Sequence, residues 1–348
     1  MKLAFYLPCY WPDTRYPVHQ MYDEMVEQAV LAEEIGMSSL WIPEHHFVNL
    51  LVHPSPLLSA VRVAAATKTI RIGTSVLVLP FYDMRRLAGE IAQADQLMKG
   101  RLEIGVGRGA FKYEFDRFGV SMTDSRERFD EALPLLEKLL REGDVSCDTP
   151  SYRFQPLTVT PRPYQTPMPP IWIAAVQPEA IYQSVRRGYN ITTTALRAPF
   201  EEAKRQADAF HKGRAETGST RGLRLSMLRM GFACRDRAEI DQKVAMAAGN
   251  DQRHHNLRSG DGEVIDGAIA PHRSGRSLAD VEAALLIASA SQLVDKLSAY
   301  ADLGVDEFIL NMSFGASHRD VMASMELLAA KVMPELRRTE RVSDGVQS

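Results

Sequence analysis

Two adjacent histidines near the start of the chain are the residues best suited to acid–base chemistry. The short apolar run at positions 39–42 is followed by Pro43 and then by Glu44, His45 and His46. An imidazole changes its charge near neutral pH, so one ring can act as a general base or proton donor while Glu44 orients it. A histidine whose hydrogen bonds are satisfied inside the core is the alternative interpretation.

The same histidine pair does not predict a metal centre. Adjacent side chains of an extended segment point to opposite faces, so His45 and His46 are poorly placed to hold one ion together. No Asp or Cys nearby completes a set of ligands around them. The sequence therefore predicts no zinc or iron site.

A second chemical motif places small residues around an arginine. Gly105, Gly107 and Gly109 alternate with other residues, and Arg108 lies among them. The third glycine comes one position too early for the G-x-G-x-x-G pattern of dinucleotide-binding loops. Backbone N–H groups beside glycines suit a phosphate, to which a guanidinium can form two charge-assisted hydrogen bonds. An arginine paired with a carboxylate at the protein surface fits the same pattern.

The elements that position these residues alternate between strand and helix. The apolar run 70–79, a helix over 87–98 that closes at Lys99 and Gly100, and a second apolar run at 102–106 predict a β-α-β unit. Parallel strands need such a crossover connection, so a parallel sheet is implied.

Eight strand candidates of this kind alternate with helices along the chain, which predicts the α/β class and a single (β/α)8 barrel. An open doubly wound sheet is the alternative. The predicted strands are 3–7, 39–42, 70–79, 102–106, 171–176, 189–193, 223–234 and 307–312. The predicted helices include 21–35, 56–67, 125–141, 199–217, 237–248, 291–303 and 320–336.

One domain over 1–336, followed by a polar tail at 337–348, accounts for this pattern. Two insertions interrupt it. The stretch 143–170 is proline-rich and predicts an excursion with a short hairpin around 152–160. The stretch 249–278 is polar and lacks Phe, Tyr and Trp, and its place after the seventh strand predicts either a mobile lid over the barrel mouth or a disordered surface loop.

A barrel of this type keeps its chemistry at the C-terminal ends of its strands. The histidine motif follows the second predicted strand, Gly105–Gly109 ends the fourth, and residues 174–177 end the fifth. Residues 73–75 fit only if the third strand is shorter than its apolar run. Aromatic residues near predicted strand ends indicate an apolar pocket or ordinary core packing, and these are Tyr6, Trp11, Phe81, Phe111 and Phe314.

Composition excludes several classes of partner. The 348 residues are 45% apolar and 24% charged, with a net charge of -3 and no basic cluster, so neither nucleic acid nor an anionic membrane is an expected partner. No signal-peptide pattern and no apolar stretch of membrane-spanning length is present, which predicts a cytoplasmic protein. Three distant cysteines, Cys9, Cys147 and Cys234, predict reduced thiols.

Four motifs taken together closely resemble the bacterial luciferase-like flavin-dependent monooxygenases. They are WIPEHHF at 41–47, IGTSVLVLP at 72–80, DQLMKGR at 95–101 and GVGRG at 105–109, and the resemblance spans nearly the whole chain. It implies a TIM barrel with insertions at the C-terminal mouth. It also implies that His45 is the catalytic histidine near flavin and substrate, with His46 and Glu44 as its supports.

The resemblance further assigns residues to flavin binding. Ser75 and Val76 match the site of a non-proline cis peptide against the isoalloxazine ring. Arg108 and Arg126 match arginines that bind the flavin phosphate, and a helix N-terminus beside Arg126 would add its dipole. Where relatives carry Ser or Glu-Ser after the fifth strand, this chain has Ala175, Val176 and Gln177, so backbone N–H groups or the Gln177 amide would make the contact.

The implied activity uses reduced FMN from a separate flavin reductase, with O2 as co-substrate. A C4a-(hydro)peroxide would oxidise a small organic substrate of apolar character, and Gly107, at the position of luciferase's reactive cysteine, implies no thiol chemistry. F420-dependent hydride transfer and a non-catalytic flavin-binding subunit are the alternatives. The histidine motif argues against the first, and the presence of both His45 and Arg108 argues against the second. A homodimer paired through the helices at 54–66 and 87–98 is expected.

Overall fold

The computed structural model describes residues 1–195, 198–217, 222–260 and 262–338. Within them the strands, in chain order, are β1 (Lys2–Tyr6), β2 (Ser39–Ile42), β3 (Arg71–Thr74), β4 (Leu77–Val78), β5 (Leu102–Gly107), β6 (Val145–Asp148), β7 (Arg153–Leu157), β8 (Ile171–Ala174), β9 (Asn190–Thr193), β10 (Leu225–Cys234), β11 (Val264–Ile265), β12 (Ala268–Ile269), β13 (Leu286–Ser289) and β14 (Glu307–Asn311).

The helices alternate with these strands. They are α1 (Val18–Glu34), α2 (Pro56–Ala66), α3 (Met84–Leu97), α4 (Lys112–Phe118), α5 (Ser125–Arg141), α6 (Pro178–Arg186), α7 (Phe200–Glu216), α8 (Arg237–Ser259), α9 (Leu278–Ala284), α10 (Ala290–Asp302) and α11 (His318–Leu327). None of the helices in the described ranges has the length and apolar character needed to cross a membrane.

The central sheet closes on itself. Parallel pairing runs from β1 through β2, β3, β5, β8, β9, β10 and β14, and β14 pairs again with β1. The predicted (β/α)8 barrel is thereby confirmed, and each of these eight strands overlaps one of the eight predicted stretches. Closure excludes the open doubly wound sheet, because no edge strand remains in the ring.

Two tryptophans fill the inside of this barrel. Trp41 on β2 and Trp172 on β8 meet edge to face, with ring centroids 5.3 Å apart. A side chain on Gly73 would begin 2.5 Å from the Trp41 ring, and one on Gly105 would overlap the carbonyl oxygen of Thr74. Gly73 is therefore required by the volume of the Trp41 indole, and Gly105 by the close approach of the β3 backbone.

Buried carboxylates hold both indoles from the N-terminal end of the barrel. The Trp41 Nε1 donates to Glu307 at 2.9 Å, and the Trp172 Nε1 donates to Glu103 at 2.6 Å. Glu103 also accepts from Arg71 and Arg224, so its charge is paired. The indole N–H groups are satisfied inside the core, as buried polar groups must be.

The third predicted run is two strands rather than one. β3 ends at Thr74, the peptide bond between Ser75 and Val76 is cis, and β4 then pairs with β5. Between the two strands the Thr74 hydroxyl donates to the Gly105 carbonyl at 2.8 Å and accepts from the Gly105 N–H at 3.0 Å. β3 is thus shorter than the apolar run 70–79, which places residues 73–75 at its C-terminal end as the sequence required.

Other predicted boundaries need correction. The hairpin in the proline-rich insertion is β6–β7, which begins before the predicted 152–160. β13, which pairs with the outer half of β10, lies in a run of Ala, Leu and Ile that suits a helix equally well and predicts no strand by itself. Positions 339–348 of the predicted tail lie outside the described residues.

The insertion at 249–278 is not a loop throughout. α8 continues to Ser259 rather than ending near position 248, and Gly260, with φ of +74°, ends it. The Asn256 amide donates to the carbonyls of Glu263 and Ala270 at 2.9 and 2.8 Å. The polar residues of this insertion predict a loop from sequence, but in the structure they form the end of α8 and the β11–β12 hairpin. Residues 249–260 and 262–278 are called the cap segment below.

Because β3 and β5 lie so close together, we expect a side chain at position 105 to destabilise the protein. In Gly105→Ala the new methyl group would meet the Thr74 backbone, and overpacking of this kind costs about 1–3 kcal/mol. We expect urea unfolding to show a free energy of unfolding lower by that amount. Gly89→Ala in α3 is the matched control, because no atom lies within 4 Å of its added methyl group and alanine favours a helix. Equal stability of the two variants would contradict the account.

Candidate active site

His45 is held at the barrel mouth by a carboxylate that the sequence did not indicate. Its Nδ1 lies 3.0 Å from Oε1 of Glu114 on α4, and the same oxygen accepts the His46 backbone N–H at 2.7 Å. The Glu114 side chain is only 2% exposed, whereas that of His45 is 18% exposed. A carboxylate accepts the Nδ1 proton, so the other ring nitrogen, Nε2, is left to act on a ligand.

Glu44 supports His46 and not His45, which corrects the expected arrangement. Its Oε1 lies 2.8 Å from the His46 Nε2, while Oε2 accepts from the Val78 N–H at 3.0 Å and from the Tyr82 hydroxyl at 2.9 Å. Burial and the charge of Glu44 raise the pKa of Tyr82, which therefore stays a donor. Glu44 thus ties the loop after β2 to β4.

Aromatic rings surround the two histidines. The His45 ring lies 4.9 Å from Phe111, and the His46 ring meets Phe118 edge to face at 4.8 Å. Phe118 stacks on Phe81 at 4.5 Å. Of the aromatic residues predicted to line a pocket, Phe81 and Phe111 thus lie beside the histidines.

The other predicted pocket aromatics divide between the mouth and the core. Trp11 lines two cavities, one of about 220 Å³ that also contains His45 and one of about 320 Å³. Tyr6 is buried in the barrel, with its hydroxyl 3.5 Å from the Ser75 carbonyl. Phe314 is fully buried against Phe232, which is ordinary core packing.

Two further histidines near His45 are neutral. Burial lowers the pKa of His53 to about 4, and the nearby His45 adds to the effect. Burial likewise lowers the pKa of His254, on the part of α8 beyond the predicted helix end, to about 4. Since both values lie below the ordinary pKa of about 6.5, neither ring carries a charge at neutral pH that would oppose a proton on His45.

The cap segment is fastened over this part of the mouth by Asn49. The Asn49 N–H donates to the Gly267 carbonyl at 2.8 Å, and its side-chain oxygen accepts from the Ile269 N–H at 3.0 Å. The Asn49 amide nitrogen donates to the Trp11 carbonyl at 2.9 Å. Cap and loops also share an apolar cluster made of Tyr10, Val48, Leu50, Leu51, Phe111, Leu257 and Ile269.

A floor of small residues lies beside the histidines, at the ends of β3, β4, β5 and β8. Ser75 and Val76 are half-buried there, and Ala174 is exposed. A side chain on Gly107 would begin 2.7 Å from Val76 and 3.6 Å from Ala174. A cysteine side chain therefore has no room at position 107 unless Val76 moves.

The predicted phosphate contacts fall at the edge of this floor. The pairing of β5 with β8 ends where Val106 lies opposite Ile173, and Arg108 and Ala175 each follow two residues later, just beyond the ends of the two strands. Arg108 is exposed, and no hydrogen-bond partner for it is found in the described part of the chain. Its donors are therefore available to an anion, and the residues present fit a flavin phosphate.

Of the other residues predicted to bind the flavin phosphate, Arg126 and Val176 already form bonds within the protein. Arg126 lies in the first turn of α5 and forms an ion pair with Asp130 at 3.1 Å. The Val176 side chain is 40% exposed, but its carbonyl accepts from buried Gln206 at 2.8 Å. Gln177 precedes the first residue of α6 and makes no side-chain capping bond, so its amide can face a ligand.

Sequence reasoning missed Glu114, because nothing in the stretch around it marks a carboxylate that turns inward. Its role depends on the packing of α4 against a loop 68 and 69 residues earlier in the chain. An acidic residue on a short helix directly after the Gly105–Gly109 motif is the one signal that the sequence contains.

The hydrogen bond from His45 to Glu114 predicts a defined tautomer. In ¹⁵N-labelled protein at neutral pH, we expect NMR shifts of His45 to show the proton on Nδ1, and Glu114→Gln to shift the ring toward the Nε2-protonated form. Asp116→Asn, an exposed change on the same helix, is the control and should leave the His45 signals unchanged. Identical His45 spectra for wild type and Glu114→Gln would refute the role given to Glu114.

Comparison with known proteins agrees with this geometry. The family model of the luciferase-like monooxygenases matches residues 3–307. The oxygenase component of the flavin-dependent trigonelline monooxygenase from Acinetobacter baylyi is 30% identical over 334 residues, which cover 90% of each chain. This similarity extends over the barrel and the cap segment alike.

Solved structures share the fold. Monooxygenase RslO1 from Streptomyces bottropensis has a TM-score of 0.83 at 24% identity, covering 96% of this chain and 99% of its own. The oxygenating constituent of 3,6-diketocamphane monooxygenase from Pseudomonas putida, in complex with FMN, has a TM-score of 0.79 at 18% identity over 97% and 98%. An F420-dependent secondary alcohol dehydrogenase has a TM-score of 0.76 at 16% identity over 96% and 98%. By the family match and the trigonelline monooxygenase relative, the chain belongs to the luciferase-like family of flavin-dependent monooxygenases.

Proposed function

We propose that this protein is an FMN-dependent monooxygenase that inserts one atom of O2 into a small organic molecule. The observation that carries the proposal is the position of His45, fixed by Glu114 and adjoining a floor of small residues with Arg108 at its edge. A planar flavin on the floor, with its phosphate at Arg108, would lie beside the catalytic histidine.

Reduced FMN, when bound, supplies the two electrons that activate O2, by the flavin–oxygen chemistry expected from the resemblance; one oxygen atom goes to the substrate and the other leaves as water. A separate flavin reductase would supply the reduced FMN, in keeping with the relative described as an oxygenase component. Ser75, Val76 and Gly107 would face the ring, while Arg108, the Gln177 amide and the N–H groups at the start of α6 would hold the phosphate. Arg126 could join them if its bond to Asp130 opens.

The side chains around His45 control protons and water. The His45 Nε2 can take a proton from the substrate or return one, because Glu114 keeps the Nδ1 proton in place. The cap segment, held by Asn49, lines one side of the cavity that contains His45 and would limit the access of water to it once it closes. Opening and closing of the cap segment would then admit the substrate, as proposed for a lid.

The substrate has to fit a space whose wall is partly apolar. The larger cavity is lined by Leu7, Met21, Met25 and the rings of Tyr10 and Trp11, which favour a molecule with an apolar body.

Hydride transfer with F420 is the competing activity, because an F420-dependent dehydrogenase shares the fold. A preference of the purified protein for F420 over reduced FMN would decide for that alternative.

A homodimer is the proposed assembly. α2 and α3, on the side of the barrel where pairing is expected, each expose a large apolar residue, with Leu58 72% and Leu97 58% exposed. Exposed leucines on neighbouring helices would be covered by the same helices of a second copy.

If Arg108 binds the flavin phosphate, its loss should weaken the binding of FMN and not that of riboflavin. Anaerobic titration should show that Arg108→Gln weakens binding of reduced FMN by about tenfold to a hundredfold, the value of a hydrogen bond to a charged group. Reduced riboflavin, which has no phosphate, should bind the variant and the wild type equally. Arg86→Gln, an exposed change on α3, is the control for lost charge. Equal losses for the two flavins would contradict the proposed site.

A further inference from the structure

The larger cavity lies beside the cavity that contains His45 and has a different lining. Its volume is about 320 Å³, and it lies between the loop that follows β1 and the loop that follows β14. Trp11 lines both this cavity and the one that contains His45. Trp11 is therefore a wall that the larger cavity shares with the cavity that contains His45.

Three aromatic residues of the β1 loop line this cavity: Tyr10, Trp11 and Tyr16. The Trp11 Nε1 donates to the Tyr16 carbonyl at 2.8 Å, which fixes the indole, and the Tyr16 hydroxyl donates to Glu24 at 2.6 Å. The faces of such rings attract positive charge, most strongly for tryptophan. These hydrogen bonds fix Trp11 and Tyr16 in the lining of the cavity.

The charged groups that line the cavity are acidic. Glu24 and Asp13 contribute carboxylates, and no Lys or Arg is found among the described residues of the lining. Asp13 is paired with Arg15, which is 89% exposed and turned to solvent, whereas the bond shown for Glu24 comes from the neutral Tyr16 hydroxyl. The Tyr16 hydroxyl is neutral, so its hydrogen bond does not cancel the negative charge that Glu24 brings to the cavity.

The groups around the rim do not reverse this charge. His318 lies between Gln28 at 3.1 Å and Glu27 at 3.0 Å. Arg253 interacts with Tyr10 and donates to the Gly249 carbonyl. The charge of Glu24 also adds to burial in raising the pKa of the Cys9 thiol, which lines the same space. Glu24 therefore contributes a negative charge to the lining of the cavity.

We propose that this cavity binds a small organic cation with an apolar body, such as a quaternary ammonium or a protonated amine, as the substrate. Tyr10, Trp11 and Tyr16 provide ring faces for the cationic end, and Glu24 provides the counter-charge. This inference rests on the proposed function and names the substrate class of the same site. Glu24 is a specificity-determining residue in this account.

The test compares two ligands of the same shape by calorimetry without flavin. Phenyltrimethylammonium carries the positive charge, and tert-butylbenzene is its neutral counterpart. We expect the wild type to bind the cation at one site per chain and at least about tenfold more tightly than the neutral compound. Equal affinity for the two ligands, or no binding of the cation, would overturn the proposal without any variant being made.

Glu24→Gln then tests the counter-charge. The amide keeps an oxygen that can accept from Tyr16, so the loop should retain its structure, which thermal unfolding verifies. We expect about tenfold weaker binding of the cation, and unchanged binding of reduced FMN. Asp23→Asn removes a neighbouring exposed charge on α1 that does not line the cavity, and it should leave the affinity within about twofold.

The two proposals fail in different ways. If reduced FMN binds but the cation does not, the substrate class is wrong and the monooxygenase proposal stands. If the cation binds and depends on Glu24 while reduced FMN does not bind, the cavity is correctly described and the proposed flavin chemistry is wrong. Equal effects of Glu24→Gln and Asp23→Asn on cation binding would show that only the net charge matters, and would overturn the role of the cavity.

Discussion

The close approach of β3 and β5 around an indole is the constraint on which the rest of the structure depends. Trp41 has room in the barrel interior because Gly73 lacks a side chain, and β3 lies close to β5 because Gly105 lacks one; Thr74 then bridges the two strands with its hydroxyl. β3 stops there, and the chain turns outward through Ser75 and Val76. The same packing that fills the barrel therefore also creates the floor at its mouth.

Buried carboxylates connect this floor to the catalytic loop. Glu44 joins the loop after β2 to β4 and Tyr82, while Glu114 joins the same loop to α4. Each carboxylate accepts more than one hydrogen bond, so its burial is compensated by donors that come from different elements. The histidines are thus positioned by the fold as a whole and not by their own segment alone.

Much of this arrangement was predictable because it is local. β2 and α5 have the predicted bounds, 39–42 and 125–141, since a compact apolar run and a strongly amphipathic helix each reveal themselves within their own sequence. Glu114, the extension of α8 and β13 were not predictable in the same way. Their states depend on contacts with distant parts of the chain: Glu114 with His45, the end of α8 with the apolar cluster around Leu50 through Leu257, and β13 with β10.

The most direct test of the central claim is to mix O2 with the anaerobic complex of the protein and reduced FMN and to follow the flavin absorbance. The account predicts a species distinct from both reduced and oxidised FMN that persists far longer than free reduced FMN does in air, because the capped mouth excludes water. Reoxidation at the rate of free FMN, with no such species, would contradict it.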